Sequence, residues 1–171
     1  LVVGDKVIVG IAGGEYGIRG YIDAYAVQTG KRLWRRHTTP SAGEPGADTW
    51  AGDSWKNGGG PTWVTGSYDP EQHVLFWATG NPAPDWNGDS RAGDNLYTDS
   101  VLALNPDTGA IKWHFQFTPH DIWDFDGNTD LFLVDVERSG KTVKAVAQPN
   151  RNGYMYVVDR TTGAYLHGAQ Y

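Results

Sequence analysis

The chain has 171 residues, among them 23 Gly, 9 Pro, 8 Trp, 9 Tyr, one Met and no Cys. Fourteen Lys and Arg against twenty Asp and Glu leave a net charge of −6, which argues against a nucleic-acid footprint. The missing cysteines exclude zinc–thiolate sites, disulfides and thiol nucleophiles, and no run of eighteen apolar residues is present to cross a membrane as a helix.

Short apolar runs punctuate the sequence: Lys6–Ile11, Tyr21–Ala26, Val74–Ala78, Ser100–Leu104, Ile111–Phe117, Lys144–Ala147 and Tyr154–Val158. They are rich in Val, Ile and aromatics and are bounded by Gly, Asn, Asp or Pro, the signature of strands. No segment holds a 3.6-residue apolar period, so the expected fold class is all-β.

Internal repetition sharpens that expectation. Ile22–Trp34 and Val101–Trp113 place Ala, then Thr-Gly, then Trp at identical offsets: Ala24, Thr29, Gly30 and Trp34 against Ala103, Thr108, Gly109 and Trp113. Tyr156–Leu166 repeats the strand and the Thr162-Gly163 turn without the Trp. Each unit reads as a strand, a tight turn whose glycine supplies a positive φ, and a return strand, preceded by a further strand and a Gly/Asn loop. Such units suggest four-stranded propeller blades, with the repeated Trp as a packing anchor between neighbours. A β-sandwich is the rival arrangement, and the spaced Thr-Gly…Trp signature favours the propeller. About three blades form only an open arc, so the chain is expected to be a piece of a longer one that does not fold alone.

Three loops at equivalent places in the units carry Glu15, Asn81 and Arg151. In a propeller such loops converge on one end of the central channel, which makes these residues candidates for a shared site. Glu and Asn offer hard oxygen ligands, and Arg offers a fixed fork of donors. Nine aspartates lie between Asp85 and Asp130, against Arg91 and Lys112. Most suit turns and solvated loops. Asp124 and Asp126, two apart, are expected to share one face of an extended segment and to need a cation or donors between them. Capping of the turn before Gly127 is the alternative. Trp63 follows Gly58-Gly59-Gly60-Pro61, a backbone that a flat ligand can approach, and its indole could form a stacking floor or pack in the core. The five His show no metal-ligand spacing, and neither a Gly-x-Ser-x-Gly elbow nor a phosphate loop is present.

The strings GGEYGIRGYIDAY, GDSWKNGGGPTWVTGSYDP, WATGNPAP, GDNLYTDSVLALNPDTG, TPHDIWDFDG and PNRNGYMYVVDRTTG resemble, in collinear order over nearly the whole chain, the pyrroloquinoline quinone (PQQ)-dependent alcohol dehydrogenases of the methanol/ethanol class. The resemblance implies an eight-bladed propeller with tryptophan docking, roughly three times this length, of which residues 1–171 are a central, incomplete part. It implies that Glu15 and Asn81 bind the metal and that Trp63 stacks under the quinone. It also implies that Asp124 is the catalytic base, that Arg151 contacts the cofactor, and that the Gly14 amide approaches PQQ. Ala12 stands where the family often has a hydroxyl residue that bonds the cofactor. Asp126 stands where lanthanide-type members carry an aspartate and calcium-type members a small uncharged residue, so a lanthanide ion is expected, with calcium the alternative.

The reaction so implied is oxidation of a primary alcohol, ethanol-type or methanol, to an aldehyde, with a cytochrome c-type electron acceptor and a periplasmic location. Two rivals stand beside it: a propeller scaffold that shares the tryptophan repeats and binds no quinone, and a glycan-binding or glycoside-cleaving propeller that would use exposed Trp and two carboxylates. The scaffold has no need for Glu15, Asn81 and Asp124 together.

Overall fold

The computed structural model describes all of residues 1–171. Its core is three four-stranded antiparallel sheets, each formed from consecutive strands. The first blade holds β1 (Val2–Val3), β2 (Lys6–Val9), β3 (Tyr21–Ala26) and β4 (Arg32–His37). The second holds β5 (Ser67–Asp69), β6 (Val74–Ala78), β7 (Ser100–Leu104) and β8 (Ile111–Gln116). The third holds β9 (Phe132–Arg138), β10 (Lys141–Asn150), β11 (Tyr154–Asp159) and β12 (Tyr165–Gln170). The fold is therefore an all-β, partial propeller, as the repeats indicate.

Every apolar run expected to be a strand lies on one, and five strands were not among them: β1, β4, β5, β9 and β12. β4 reads RLWRRH and β9 reads FLVDVER, and their charged, half-exposed pattern hides them from a search for apolar runs. Each blade has a strand ahead of those read from the repeat, so Glu15, Asn81 and Arg151 follow the second strands of their blades, β2, β6 and β10.

The middle blade is buried on both faces, which explains why β6 and β7 are apolar without alternation. Pleating sends Leu75, Trp77, Leu102 and Leu104 toward Ile8, Ile22 and Trp34 of the first blade. Their neighbours Phe76, Ala78, Val101 and Ala103 turn the other way, onto Val146 and Val158 of the third blade.

The Thr-Gly…Trp repeat fixes how blades dock. All three turns make the same bonds: Gly30 N to Ala26 O, Gly109 N to Asn105 O and Gly163 N to Asp159 O, each 2.8 Å. Each hairpin also slips register six residues before its glycine, at Ala24, Ala103 and Val157. Trp34 of the first blade lies on Gly109 of the second, and Trp113 of the second lies on Gly163 of the third. A Cβ on Gly109 would stand 2.6 Å from Trp34 Cε3, and one on Gly163 2.7 Å from Trp113 Cε3. Glycine is required there twice over, since φ is +69° and +76°.

Candidate functional site

The hairpin turns occupy one end of the blades, so the connections on the opposite end share a surface. The β2–β3 loop brings Gly14 and Glu15, the β6–β7 loop Asn81, the β8–β9 loop Asp124 and Asp126, and the β10–β11 loop Arg151. Pro61 stands between them. Gly14 and Gly80 both approach its ring so closely that a Cβ on either would lie 2.9 Å from Pro61 Cγ. Pro61 O accepts from Gly80 N at 2.8 Å and from Asn128 Nδ2 at 2.9 Å, and Gly60 N donates to Asn81 O at 2.8 Å. The glycine-rich stretch 58–60 therefore lets loops from successive blades meet backbone to backbone.

Asn81 is fully buried. Its Nδ2 donates to Asp85 Oδ1 and to Pro82 O, while its Oδ1 has no partner and faces Gly14, whose added Cβ would lie 2.7 Å away. Asp126 is also buried. One oxygen accepts from Asn81 N at 3.1 Å, and the other pairs with Arg151 Nη1 at 2.8 Å. Asp124 Oδ2 is 4.0 Å from Arg151 Nη2, and its Oδ1 is buried without a partner. Asp124 and Asp126 do not lie in an extended segment: both take left-handed φ values, +58° and +54°. The loop folds back after Asp121, whose carboxylate accepts from Trp123 N at 2.9 Å and Phe125 N at 2.7 Å. The pair still meets at Arg151, through the curvature of the loop in place of the pleat of a strand.

The electrostatics are those of a site short of positive charge. Burial pushes the Asp126 carboxyl up to about 6, aided by the charges of Asp124 and Glu15 and opposed by Asn81 N and Arg151. Burial likewise raises Asp124, against the pull of Arg151 and with the push of Asp121 and Glu15. Asp85 is raised by burial, then by Asp124 and Glu15. Asp99, almost wholly buried, is raised well above the carboxylate range by burial and then by Asp121 and Asp126.

These observations test whether a hard cation suits the residues. No three acidic or histidine side chains are drawn together as a metal-holding group. The donor chemistry does fit: a buried amide oxygen and a buried carboxylate oxygen, both unpartnered, stand among carboxylates that raise one another's pKa. The cofactor candidates are less enclosed. Arg151 is exposed and Trp63 is 51% exposed, so Trp63 is not a core residue. Glu15 is exposed on a short 3₁₀ turn between left-handed Gly13 and Gly17. Asp85 and Asp121 were missed in the sequence because the aspartates of this stretch look alike as turn formers. The signal that separates them is distance in sequence from Asn81 and Asp124, four and three residues.

Fold and site together define successive blades of a propeller with a polar, oxygen-lined loop end. Residues 1–170 match the family model "PQQ: Glucose/ethanol/alcohol dehydrogenase, beta-propeller domain", and the chain belongs to that family. It is 49% identical over 185 residues to the quinoprotein alcohol dehydrogenase PedH of Pseudomonas putida, covering 98% of this chain and 31% of that protein. It is 44% identical to the lanthanide-dependent methanol dehydrogenase of Methylorubrum extorquens, covering 97% of this chain and 30% of that protein. A solved europium-containing methanol dehydrogenase superposes with a TM-score of 0.94 at 38% identity, over 99% of this chain and 33% of that one. The chain thus spans about a third of the length of these relatives.

Proposed function

We propose that this chain supplies part of the active end of a PQQ-dependent dehydrogenase that oxidises small primary alcohols, ethanol-type or methanol, to aldehydes. The observation that carries the reading is the meeting of Asn81, Asp124, Asp126 and Arg151 at the loop end, with buried oxygens of Asn81 and Asp124 left unpartnered. Glu15, Asn81, Asp124 and Asp126 would hold the cation, and Gly14, Trp63 and Arg151 the cofactor. A bound quinone would supply the hydride acceptor for the alcohol carbon, and a bound cation would supply Lewis-acid polarisation.

Asp124 is the general base. Its Oδ1 is free to take the hydroxyl proton, and burial raises its basicity above that of a solvated carboxylate. Arg151 holds Asp124 and Asp126 in place through its guanidinium and offers its exposed face to negative charge on the cofactor. Trp63 contributes a flat apolar surface, with its backbone anchored by the Thr62 hydroxyl on Tyr21 O at 2.6 Å. The third carboxylate, Asp126, favours a trivalent lanthanide over calcium, because an extra negative ligand gains more from a higher ionic charge. A cytochrome c-type acceptor and a periplasmic setting complete the proposal, with the remaining blades of the domain supplied by the rest of the protein. In the full-length protein with PQQ bound, Asp124→Ala is expected to lower turnover by about 10²–10⁴-fold. Retained turnover would sink the assignment.

A further inference from the structure

Asp85 lies four residues after Asn81 and is 9% exposed. Its Oδ1 accepts from Asn81 Nδ2, and Pro82 O accepts from the same nitrogen at 3.2 Å. The two ends of a primary amide are alike in shape and opposite in polarity, so its neighbours decide which end points where. With two acceptors on one side, half a turn of the Asn81 amide would set its oxygen against two other oxygens. Only the observed orientation is tolerated, and it leaves Oδ1 buried, unpartnered and facing Gly14.

Asp85 is itself held. Arg91 is fully buried and donates through Nε to Pro84 O at 3.0 Å and through Nη2 to Asp85 O at 3.1 Å. Its Nη2 also reaches Asp121 O, and its Nη1 reaches Asn95 Oδ1 at 2.8 Å. Asp121 organises the backbone on both sides of Asp124. One guanidinium thus ties the loop of Asn81 to the loop of Asp124.

We propose that Asp85 is a positioning residue that turns the Asn81 amide so that its oxygen, and not its nitrogen, faces the cation. The proposal rests on the reading of Asn81 as a ligand. Acceptors behind a metal ligand commonly account for about 10–100-fold in metal affinity.

The test uses the full-length protein freed of metal and Eu³⁺ alone as the probe. It measures the dissociation constant, the number of waters on the bound ion from luminescence lifetimes in H₂O and D₂O, and the melting temperature without metal. Asp85→Ala is expected to weaken binding by about 10–100-fold and to admit an extra water to the ion, with little change in the metal-free melt. Asp85→Asn keeps an acceptor but loses the charge, and is expected to weaken binding less and to admit no water. Asp85→Ser, which withdraws the acceptor but stays polar, replaces the alanine variant if that one does not fold. Equal losses in both variants without added water would reduce Asp85 to a distant charge and overturn the proposal. Wild-type binding by Asp85→Ala, with Eu³⁺ lost in Asn81→Ala, overturns it while leaving the site reading intact. Wild-type binding by Asn81→Ala overturns both.

Discussion

The two ends of the middle blade follow opposite rules. At the turn end, Gly109 lies under Trp34, Trp34 Nε1 donates to Pro106 O at 3.0 Å, and Arg36 Nε donates to Gly109 O at 2.7 Å. The Trp34 indole and the Gly109 carbonyl find their partners across the blade boundary, and buried Asp69 and Arg160, also at this end, face one another at 3.1 Å. At the loop end, Asn81 Oδ1, Asp99 Oδ2, Asp124 Oδ1 and Asn128 Oδ1 are buried without partners, and the carboxyls resist ionisation. Buried polar groups are ordinarily paired, because leaving one unpaired costs about 1–3 kcal/mol. The turn end is built for cohesion, whereas the loop end keeps buried oxygens unpartnered, the property that the proposed cation site requires.

Substitutions at the turn end carry the largest expected cost. Trp34→Ala removes the plate between first and second blades and leaves Pro106 O without its donor. The expected cost is about 3–5 kcal/mol, read as a lowered melting temperature of the full-length protein. Gly109→Ala comes next. It forces a side chain into left-handed backbone, about 1–2 kcal/mol, and drives a methyl into the Trp34 ring, about 1–3 kcal/mol more. Gly30 has the same φ, +67°, but nothing within 4 Å of its position. A preceding blade that docks as these two do would place a ring there. Gly30→Ala is then expected to cost as much as Gly109→Ala in the full-length protein. A cost confined to the backbone strain would show that Gly30 carries no such ring.

How much of this was legible in the sequence differs between the ends for a physical reason. Trp34, Gly109, Trp113 and Gly163 could be read because docking repeats once per blade, and repetition at fixed offsets is visible without a structure. Glu15, Asn81 and Arg151 were reachable by the same route, since equivalent loops share an end. Asp124 and Asp126 were found, but their geometry was not, because left-handed backbone at a non-glycine residue has no period to betray it. Arg91 and Asp85 were invisible as a pair. Their link runs through main-chain carbonyls, which every residue has. β9 was lost because an outer strand with one wet face does not read as an apolar run, and β4 was reached only as the return strand of the repeat.

Acidity separates the ends next. The Asp99 carboxyl has a folded-state pKa well above its ordinary 3.8, from burial and then from Asp121 and Asp126. A carboxyl raised in this way stabilises the fold below its unfolded pKa, and that contribution is lost as pH rises toward the folded value. The metal-free full-length protein is therefore expected to lose stability from about pH 4 upward, by at most about 1.4 kcal/mol per pH unit for this one group. Asp99→Asn keeps the acceptor for Gly127 N and cannot ionise. It should match the wild type near pH 4 and melt higher than it near pH 8. Parallel curves for the two proteins would mean that the burial of Asp99 is compensated by groups outside these blades.

The smallest expected shift in stability is the one that ties the site to its cost. Asp124 is raised by burial, and Arg151, 4.0 Å from Oδ2, offsets this only in part. Asp124→Asn keeps the shape and removes a charge that the metal-free fold holds at a disadvantage. Without metal at neutral pH, this variant is expected to melt slightly above the wild type, by the equivalent of about 1 kcal/mol or less, discounting for partial exposure. Adding the cation should reverse the order, because the wild-type carboxylate gains an opposite charge and the amide does not. A reversal is what distinguishes a ligand from an ordinary buried acid. A structural Asp124 would leave the variant above or below the wild type by the same margin with and without the ion, since only a group that meets the cation has its charge turned from a cost into a contact.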